Sequence, residues 1–395
     1  MMRKMNKTLS VIALLLSILL LLAACGGGGG GTPAPSGSSG SGGGSKSDEK
    51  IADLTEYAKS LGAPLSAEDA EIWANIEEPS KNPDKVVWRH GAVNRSLEEL
   101  PTLRGDRQFM IEMKKRLGDK VEFQIFYGGT LGTSADQILG GLQNRNFESY
   151  AYNVGAFAEY TNAFMPLDVM FLIPDLEAGI AVCAGEPGEI MRQKCIEDTG
   201  LNVLTMGAIG MRHITNSKKA LTAVADMKGL KIRTQNNPLH IMAFQALGCS
   251  PTPIAYAELF TSLQQKVVDG QENPISNMFE QNFAEVQSYL TLSNHLYTAA
   301  AFVANDQWLK EQTPEFQKAV AESAAIAQDY SGPDLISSEA AMLEYMGRTM
   351  EITSLEGEAL DEFKSISMST WDQAAERIGK DYFEKVKNSI MKIVN

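Results

Sequence analysis

The stretch Asp226–Pro274 constrains the fold of this chain more than any other, because strand and helix signals alternate along it. Leu230 and Ile232 alternate with polar neighbours, which predicts a short strand that ends at Arg233. A helix is expected to follow, and a second strand is predicted to run into the sequence Asp-Gly-Gln-Glu-Asn-Pro. This order of strand, helix and strand is typical of an α/β fold.

The start of the predicted helix favours an anionic ligand. Asn236 or Asn237 can cap the helix, and Pro238 suits its first position, where no backbone amide is needed. The layout brings the guanidinium of Arg233 and free helix N-terminal amides into one small volume, and both groups attract anions. The sequence therefore predicts an anion site at this point.

The N-terminus resembles a bacterial lipoprotein signal over residues 1–24. Arg3, Lys4 and Lys7 form a basic region, and the apolar run 11–22 is too short to span a bilayer comfortably. Two alanines precede Cys25, which implies a lipid on this cysteine and a mature chain tethered to the outer face of the cell membrane. An unmodified secretory signal is the alternative.

Two further segments precede the globular body. Residues 25–47 are rich in Gly and Ser and predict a flexible tether. Residues 48–83 carry two helical patterns, Lys50–Leu61 and Ala67–Ile76, to which the sequence assigns no task. The formal net charge is −14, and removal of residues 1–24 with their three positive charges gives −17. So acidic a chain is not expected to bind nucleic acid.

The cysteines and histidines do not predict a metal site or a catalytic centre. Cys183 and Cys195 lie twelve residues apart in a chain that is expected to be exported. The sequence allows either a disulfide between them or two free thiols. Cys249 is expected to be a small buried residue. The chain has no zinc-ligand spacing, GxSxG elbow, P-loop or GxGxxG fingerprint, so these patterns predict no metal site and no cofactor, while a metal ion that assists ligand binding stays an open alternative.

The globular body is predicted to begin with alternating strands and helices. Strands are expected at Lys85–Trp88, Val121–Phe126 and Ser149–Asn153, with helices between them. The helix before residue 118 places Phe109, Met113 and Leu117 on one face. This βαβ order calls for a parallel sheet with crossover helices.

Four short sequences within Asp226–Pro274, namely MKGLKIR, SPTP, AELFTSLQ and VDGQENP, resemble the solute-binding proteins of tripartite ATP-independent periplasmic (TRAP) transporters. The resemblance covers roughly residues 84–390. It implies a two-lobed α/β periplasmic-binding-protein-like fold, with a ligand cleft between the lobes, a long helix that crosses both, and hinges near Gly210 and Thr298. Lobe I is expected to hold 84–209 plus 299–338, and lobe II 210–298 plus 339–395. Gly332-Pro333 predicts a kink or a short break in the long helix.

The resemblance also implies which residues bind the ligand. Arg233 would hold a carboxylate by a salt bridge, since the guanidinium fork matches two carboxylate oxygens. The amide of Asn273 can donate to a ligand oxygen and accept from a hydroxyl, or can set the turn before Pro274. Arg212 matches an arginine that often supports the same carboxylate, with surface solvation as the alternative.

Four further residues are candidates for the cleft, each with a structural alternative. Asn236 contacts the ligand or caps the helix, and Tyr256 packs on the ligand or in the core. Asn153 ends a strand at a position that often faces the ligand, where a neutral amide favours a hydroxylated ligand. His90, near the end of the first strand, faces the cleft or has a structural role.

These expectations favour a binding protein without enzymatic activity. It would capture an organic acid, such as a sugar acid or a dicarboxylate, by lobe closure and deliver it to a TRAP permease driven by an ion gradient. An exported enzyme acting on sugar acids is an alternative, and Asp269 and Glu272 flank the right region, although no partner for them is visible. A ligand-sensing subunit of a receptor is a third hypothesis.

Overall fold

The computed structural model describes residues 57, 61, 65–94 and 104–395 of the chain. The predicted signal peptide, the lipidation site at Cys25, the tether and most of the helical pattern Lys50–Leu61 lie outside the described residues. No helix within the described ranges is both long enough and apolar enough to span a bilayer.

Ten strands and thirteen α-helices, numbered here in chain order, make up the described part. The strands are β1 Val86–Ala92, β2 Val121–Phe126, β3 Ser149–Asn153, β4 Leu201–Asn216, β5 Lys231–Thr234, β6 Ser250–Pro253, β7 Gly270–Pro274, β8 Tyr289–Leu292, β9 Tyr297–Asn305 and β10 Glu351–Ser354. The helices are α1 Ala67–Ala74, α2 Arg104–Leu117, α3 Ala135–Gln143, α4 Leu176–Ala184, α5 Glu186–Thr199, α6 Pro238–Ala246, α7 Tyr256–Gln264, α8 Ile275–Glu280, α9 Asp306–Glu311, α10 Pro314–Met346, α11 Gly357–Met368, α12 Trp371–Ile378 and α13 Lys380–Val394.

The first sheet has the strand order β2-β1-β3-β9-β4. β1 pairs in parallel with both β2 and β3, which confirms the predicted parallel arrangement, while β9 runs antiparallel to β3 and β4. On the predicted face of α2, Phe109, Met113 and Leu117 are buried in one cluster with Trp88 and Phe123. Burial of this stripe holds α2 against the sheet.

The second sheet contains β6, β5, β7, the end of β4, β8 and β10 in that order. β5 lies between β6 and β7 and is parallel to both, so the chain segments after these strands meet at one edge. Ile232 of β5 is fully buried in a cluster with Phe244 of α6, which fixes the side on which that helix packs. Residues that follow β5 and β6 at this edge line a cavity.

Strand β4 joins the two sheets. Its residues from Leu201 to Met211 pair with β9, whereas Arg212 to Asn216 pair with β7 and β8. Gly210, just before this change of partner, has φ +137°, and a Cβ atom there would lie 3.1 Å from Cβ of Pro274. The two sheets form a two-lobed α/β fold whose predicted hinge position coincides with a conformation that favours glycine.

The long helix α10 runs without interruption from Pro314 to Met346, so a short break at Gly332-Pro333 is wrong, and the alternative of a kink stays a prediction. A Cβ atom on Gly332 would lie 2.8 Å from Cδ1 of Ile180 in α4. The glycine therefore allows α10 to approach α4 closely. Packing of this kind can hold a helix together despite a proline in its interior.

The C-terminal helix α13 packs against α4 and α5. Phe383, Val386 and Ile390 are buried in the same cluster as Val182 and Met191 of these helices. The amphipathic pattern of α13 identified a buried face but not the surface that covers it. The predicted lobe boundaries stay predictions.

The segment before β1 covers the outer edge of the first sheet. The predicted pattern Ala67–Ile76 contains α1, which Ser66 caps by accepting from the amide of Asp69. Glu77 Oε1 accepts from the backbone amide of Ile125 at 2.9 Å, and the amide of Ser80 donates to Glu122 at 2.9 Å. These bonds satisfy groups along the edge strand β2 and reduce its capacity to pair with another chain.

Candidate functional site

A cavity of about 360 Å³ lies between the carboxyl ends of strands from both sheets. Its described lining includes residues that follow β1 and β3, residues that follow β5 and β6, and the end of β7 with the start of α8. Five of the predicted ligand residues line it: Asn153, Arg233, Asn236, Tyr256 and Asn273. The cavity therefore brings together predicted residues as far apart in the chain as Asn153 and Asn273.

Arg233 supplies an uncommitted positive charge. It is only 2% exposed, and its Nε donates to the backbone oxygen of Ile254 at 2.8 Å. Nη1 is buried and has no hydrogen-bond partner among the described residues. Burial lowers the pKa of this arginine to about 10, with Glu272 acting in the opposite direction. Arg233 is thus still cationic at neutral pH and has donor capacity for an anion.

The two asparagines at the start of α6 have different roles. Asn237 is the cap: its Oδ1 accepts from the amide of Leu239 at 2.9 Å, and its Nδ2 donates to Asp168 at 2.8 Å. Asn236 lines the cavity and donates to Glu159. One of the helix N-terminal amides expected to bind an anion is therefore already bonded to the capping side chain.

Arg212 is not among the described residues that line the cavity, and its support of a ligand carboxylate stays a prediction. It is fully buried and forms a salt bridge with Glu272 through Nε and Nη2, the latter 2.9 Å from Oε1. Nη2 also lies 3.1 Å from Oδ1 of Asn273, and Nη1 lies 3.3 Å from the hydroxyl of Thr298. The hydrogen bond from Arg212 orients Asn273. Because Glu272 neutralises the charge of Arg212, Arg233 is the positive charge that remains available to a ligand.

Glu272 is the centre of this buried group. It accepts from Arg212, lies 3.2 Å from Nδ1 of His240 and 3.4 Å from Nε2 of His295. Burial raises the pKa of the Glu272 carboxyl, but Arg212 and His240 lower it more, so the net pKa is well below its usual range. Glu272 is therefore ionised, and its negative charge is matched within the protein.

His240 joins the group to Asp168. Its second nitrogen, Nε2, is 3.1 Å from Asp168 Oδ1, so both ring nitrogens face carboxylates. Burial lowers the pKa of His240, but Glu272 and Asp168 raise it further, to a net value above the usual one. Two carboxylates can both accept from this ring only when it is doubly protonated, so we assign His240 as an imidazolium.

The remaining predicted residues on the cavity wall are held by protein contacts. Asn273 accepts from Arg212 and donates through Nδ2 to Gln271 at 2.6 Å. The hydroxyl of Tyr256 donates to the backbone oxygen of Asn277 at 3.2 Å. Oδ1 of Asn153 accepts from the amide of Gly155 at 2.9 Å. The structure thus fixes the orientation of these three side chains before any ligand binds.

His90 is not among the described residues that line the cavity, and its contacts agree with the structural alternative given for it. It is fully buried, and its ring nitrogens lie 2.9 Å from Oγ of Ser149 and 3.3 Å from Asp106. Its ring packs edge-on against Phe302 at 4.7 Å between centroids. The structural alternative for His90 is therefore the one that the structure supports.

The candidate disulfide is not formed, because Cys183 and Cys195 are both free thiols in the structure. Burial raises the pKa of each of these two thiols to about 11. Cys249 is also free and buried, as expected for a small core residue. Within the described ranges, no cluster of three or more His, Cys, Asp or Glu side chains is arranged to hold a metal ion.

The polar residues of the lining that were not predicted from the sequence include Asn94, Glu159, Gln235 and Asn277. Gln235 had a usable signal, because alternate residues of extended backbone share a side and Arg233 is two positions earlier. Asn277 follows Asn273 by four residues, but a strand becomes a helix between them. Only the fold shows that Asn94 and Glu159 belong to this cavity.

Comparison with known proteins agrees with this architecture. Residues 98–377 match the model of the DctP family, described as bacterial extracellular solute-binding protein, family 7. The chain is 37% identical over 197 residues to a solute-binding protein of Verminephrobacter eiseniae, covering 50% of this chain but only 58% of that relative. It is 33% identical over 224 residues to the 2,3-diketo-L-gulonate-binding periplasmic protein YiaO of Escherichia coli, covering 57% and 68%.

Among solved structures, the sugar acid binding protein DctPAm from Advenella mimigardefordensis, in complex with galactonate, aligns with a TM-score of 0.74. The sequence identity is 26%, and the alignment covers 79% of this chain and all of that one. The family match spans more than half of this chain and contains most of the residues of the cavity wall. The chain therefore belongs to the family 7 bacterial extracellular solute-binding proteins, the solute-binding proteins of TRAP transporters.

Proposed function

We propose that this protein captures an organic acid outside the cytoplasm, holds its carboxylate at Arg233, and delivers it to a TRAP permease. The observation that carries the proposal is the place of Arg233 on the cavity lining, with a guanidinium whose one hydrogen bond to the described residues runs from Nε to the backbone oxygen of Ile254. A guanidinium held through one nitrogen leaves a second donor for a carboxylate oxygen. The galactonate complex of the structural relative makes sugar acids the first class to test.

Lobe closure is part of the same proposal. Two side-chain hydrogen bonds connect segments assigned to different lobes: Asn236 to Glu159, and Asn94 to Glu280 at 2.6 Å. Both asparagines also line the cavity. Contacts of this kind would form as the lobes approach and break as they separate, with bending near Gly210 and Thr298.

Membrane attachment through Cys25 and transfer to a permease complete the proposal. The support is the signal-like sequence of residues 1–25 and the family to which the folded part belongs. A lipid anchor would keep the cavity near a membrane permease while the tether lets it turn. Replacement of Cys25 by Ala should release the protein from membranes without detergent. A variant that still needs detergent would disprove the anchor.

The enzyme hypothesis receives less support from the cavity. Glu272 is buried behind the wall and paired with Arg212, and Asp269 accepts from the backbone amide of Lys231 at 2.9 Å. Glu159 is the one carboxylate among the described lining residues, whereas a glycosidase mechanism uses two. Binding without turnover is therefore the function that the geometry favours.

The decisive experiment compares Arg233→Lys with wild type by isothermal titration. Lysine keeps the charge but loses the planar fork, so affinity for a bound acid should fall roughly ten- to a hundredfold, in line with about 1.5–3 kcal/mol for a charge-assisted hydrogen bond. Arg145→Lys is a matched control, because Arg145 is a surface arginine bonded to Glu311 through two nitrogens. Equal affinity of wild type and Arg233→Lys, or of the acid and its amide, would reject the proposal.

A further inference from the structure

Two described residues upstream of α1, Tyr57 and Leu61, contact elements that belong to different sheets. The sequence alone assigns no task to the region around them, residues 48–83. The later part of this region is held on the first sheet, where Ile76 is buried in one cluster with Trp88 and Phe123. The contacts of Tyr57 and Leu61 indicate a task for the earlier part.

Tyr57 is anchored on helices beside the second sheet. Its ring lies 6.0 Å from that of Phe279 in α8 and 5.0 Å from that of Tyr345 near the end of α10, measured between centroids. The guanidinium carbon of Arg348 is 5.0 Å from the centre of the same ring. The hydroxyl of Tyr57 donates to the backbone oxygen of Ala341 at 2.8 Å. Ring packing, a cation over the ring and a hydrogen bond together hold Tyr57 in place.

Leu61 is anchored on α2, the helix that packs against the first sheet. Its backbone oxygen accepts from Nη2 of Arg104, the first residue of α2, at 2.9 Å, and from the hydroxyl of Ser338 in α10 at 2.6 Å. The side chain of Leu61 is buried. Because one of the two donors is a buried guanidinium, the bond to this carbonyl is a charge-assisted one.

The two anchors are joined by little chain. Three residues separate Tyr57 from Leu61, so the distance between their Cα atoms cannot exceed about 14 Å however the chain is extended. A span this short has little slack. It therefore opposes any movement that carries α8 away from α2.

Such a movement is expected when the cavity opens. Glu280, next to Phe279 at the end of α8, accepts from Asn94, which follows β1 of the first sheet, at 2.6 Å. Separation of the sheets would break this bond between α8 and the end of β1. The same separation would pull Phe279, and the Tyr57 ring packed on it, away from the anchor at Leu61.

We propose that the span from Tyr57 to Leu61 is a strap that limits how far the two sheets separate when the cavity opens. The inference rests on the lobe closure proposed above and adds an element of the chain that restrains it. Both anchors are needed to resist the movement, so loss of either one should release the strap.

Pulsed electron paramagnetic resonance measures this separation without any ligand. One spin label is attached at Gln193→Cys in α5, beside the first sheet, and the other at Lys228→Cys, shortly before β5 of the second sheet. Both positions are exposed. The full chain carries Cys25→Ala, and the three remaining native cysteines are buried, so the labels attach at the two chosen positions.

Breaking either anchor should lengthen the distance between the labels. Tyr57→Ala and Leu61→Ala should each raise the ratio of long to short distances about tenfold, since each removes packing and weakens a hydrogen bond. Tyr57→Phe loses only the bond to Ala341 and should give a smaller change. Ser338→Ala removes one donor to the Leu61 carbonyl and tests the second anchor without leaving a cavity in the core.

Tyr382→Ala is the matched control. Tyr382 is half-buried like Tyr57, and its hydroxyl also donates to a backbone oxygen, that of Ala163 at 2.7 Å, but it lies in α13 and not between the two anchors. Its distances should match those of wild type. An equal change in this control, or a change in only one of Tyr57→Ala and Leu61→Ala, overturns the inference.

The same measurement separates failure of the strap from failure of lobe closure. A broad distribution of distances that is the same in wild type and all variants would mean that the sheets move but that the strap does not restrain them. A narrow distribution common to all of these proteins would reject lobe motion, and the strap with it. Capture of a carboxylate by Arg233 is tested independently by the titration of Arg233→Lys.

Discussion

Two arginines lie near the same strand ends, and their environments are opposite. Arg212 is held by Glu272, Asn273 and Thr298, and the group continues through His240 to Asp168. Arg233 donates to a single carbonyl and keeps a buried nitrogen unpaired. The first arginine belongs to a closed set of charges, whereas the second leaves its charge for a ligand.

This difference shows how an acidic protein can bind an anion in a buried cavity. Behind the wall, the positive charges of Arg212 and His240 are balanced by Glu272 and Asp168. These four paired charges hold Asn273 in place. Because the positive and negative charges balance, the group adds no net charge next to the cavity. Arg233 can then act alone, and its lowered pKa of about 10 reflects the cost of leaving a buried charge without a carboxylate partner.

The largest effect is expected when the balanced group is broken. Glu272→Gln removes the carboxylate that faces Arg212, His240 and His295, so buried positive charge loses its partner. The free energy of unfolding should fall by about 3–5 kcal/mol, measured by urea denaturation. Glu315→Gln is the control, because Glu315 pairs with Lys120 on the surface, where both side chains are exposed, and it should cost about 1 kcal/mol or less. Equal losses of unfolding free energy in the two variants would show that the buried charge pairs stabilise the protein no more than a surface pair does.

The sequence predicts the position of Arg233 better than the environment of Arg212. The position of Arg233 follows from local pattern, because alternating residues and the Asn-Asn-Pro turn fix the end of β5. The pairing of Arg212 with Glu272 depends on the register of β4 against β7, where residues about 60 apart become neighbours. Local pattern contains no information on that register, so the buried pairing of Arg212 with Glu272 could not be predicted from it.

The same limit explains the other outcomes. The parallel order of the first strands and the two-lobed fold were predicted, since they follow from periodicity and from family motifs. His90 looked like a cleft residue, but its neighbours Asp106 and Ser149 come from other elements. Asn236 and Asn237 are adjacent and chemically equal, so only the backbone path decides which one caps α6 and which one faces the cavity.

A second, smaller effect is expected on the stability of the protein at acid pH. His213 is buried beside the balanced group and accepts from the amides of Ser293 and Asn294. Burial lowers the pKa of His213 to about 3, with His295 and Arg212 acting in the same direction. A histidine with a lowered folded-state pKa takes up its proton only on unfolding, so its contribution to stability is lost as the pH falls below about 6.5.

Replacement by glutamine measures this contribution. Between pH 6.5 and pH 4.5, wild type should lose up to about 1.4 kcal/mol per pH unit through His213, in addition to the contributions of other groups. His213→Gln should be less stable at pH 7, because it loses packing, but its stability should fall less steeply over the same range. Urea denaturation at several pH values provides the slopes. Parallel slopes for the two proteins would show that His213 is not held neutral.

The smallest effect on folding is expected at Arg233, where the effect on ligand binding is largest. Arg233→Met removes a buried guanidinium that has no carboxylate partner, so the desolvation cost disappears along with the bond to the backbone oxygen of Ile254. These two terms oppose each other, and stability without ligand should stay within about 1 kcal/mol of wild type. The matched variant Arg212→Met leaves Glu272 buried without its arginine and should cost about 3–5 kcal/mol. Urea denaturation of both variants without ligand decides between them. If Arg233→Met is destabilised as much as Arg212→Met, then Arg233 is a structural charge, and the contrast between the two arginines fails.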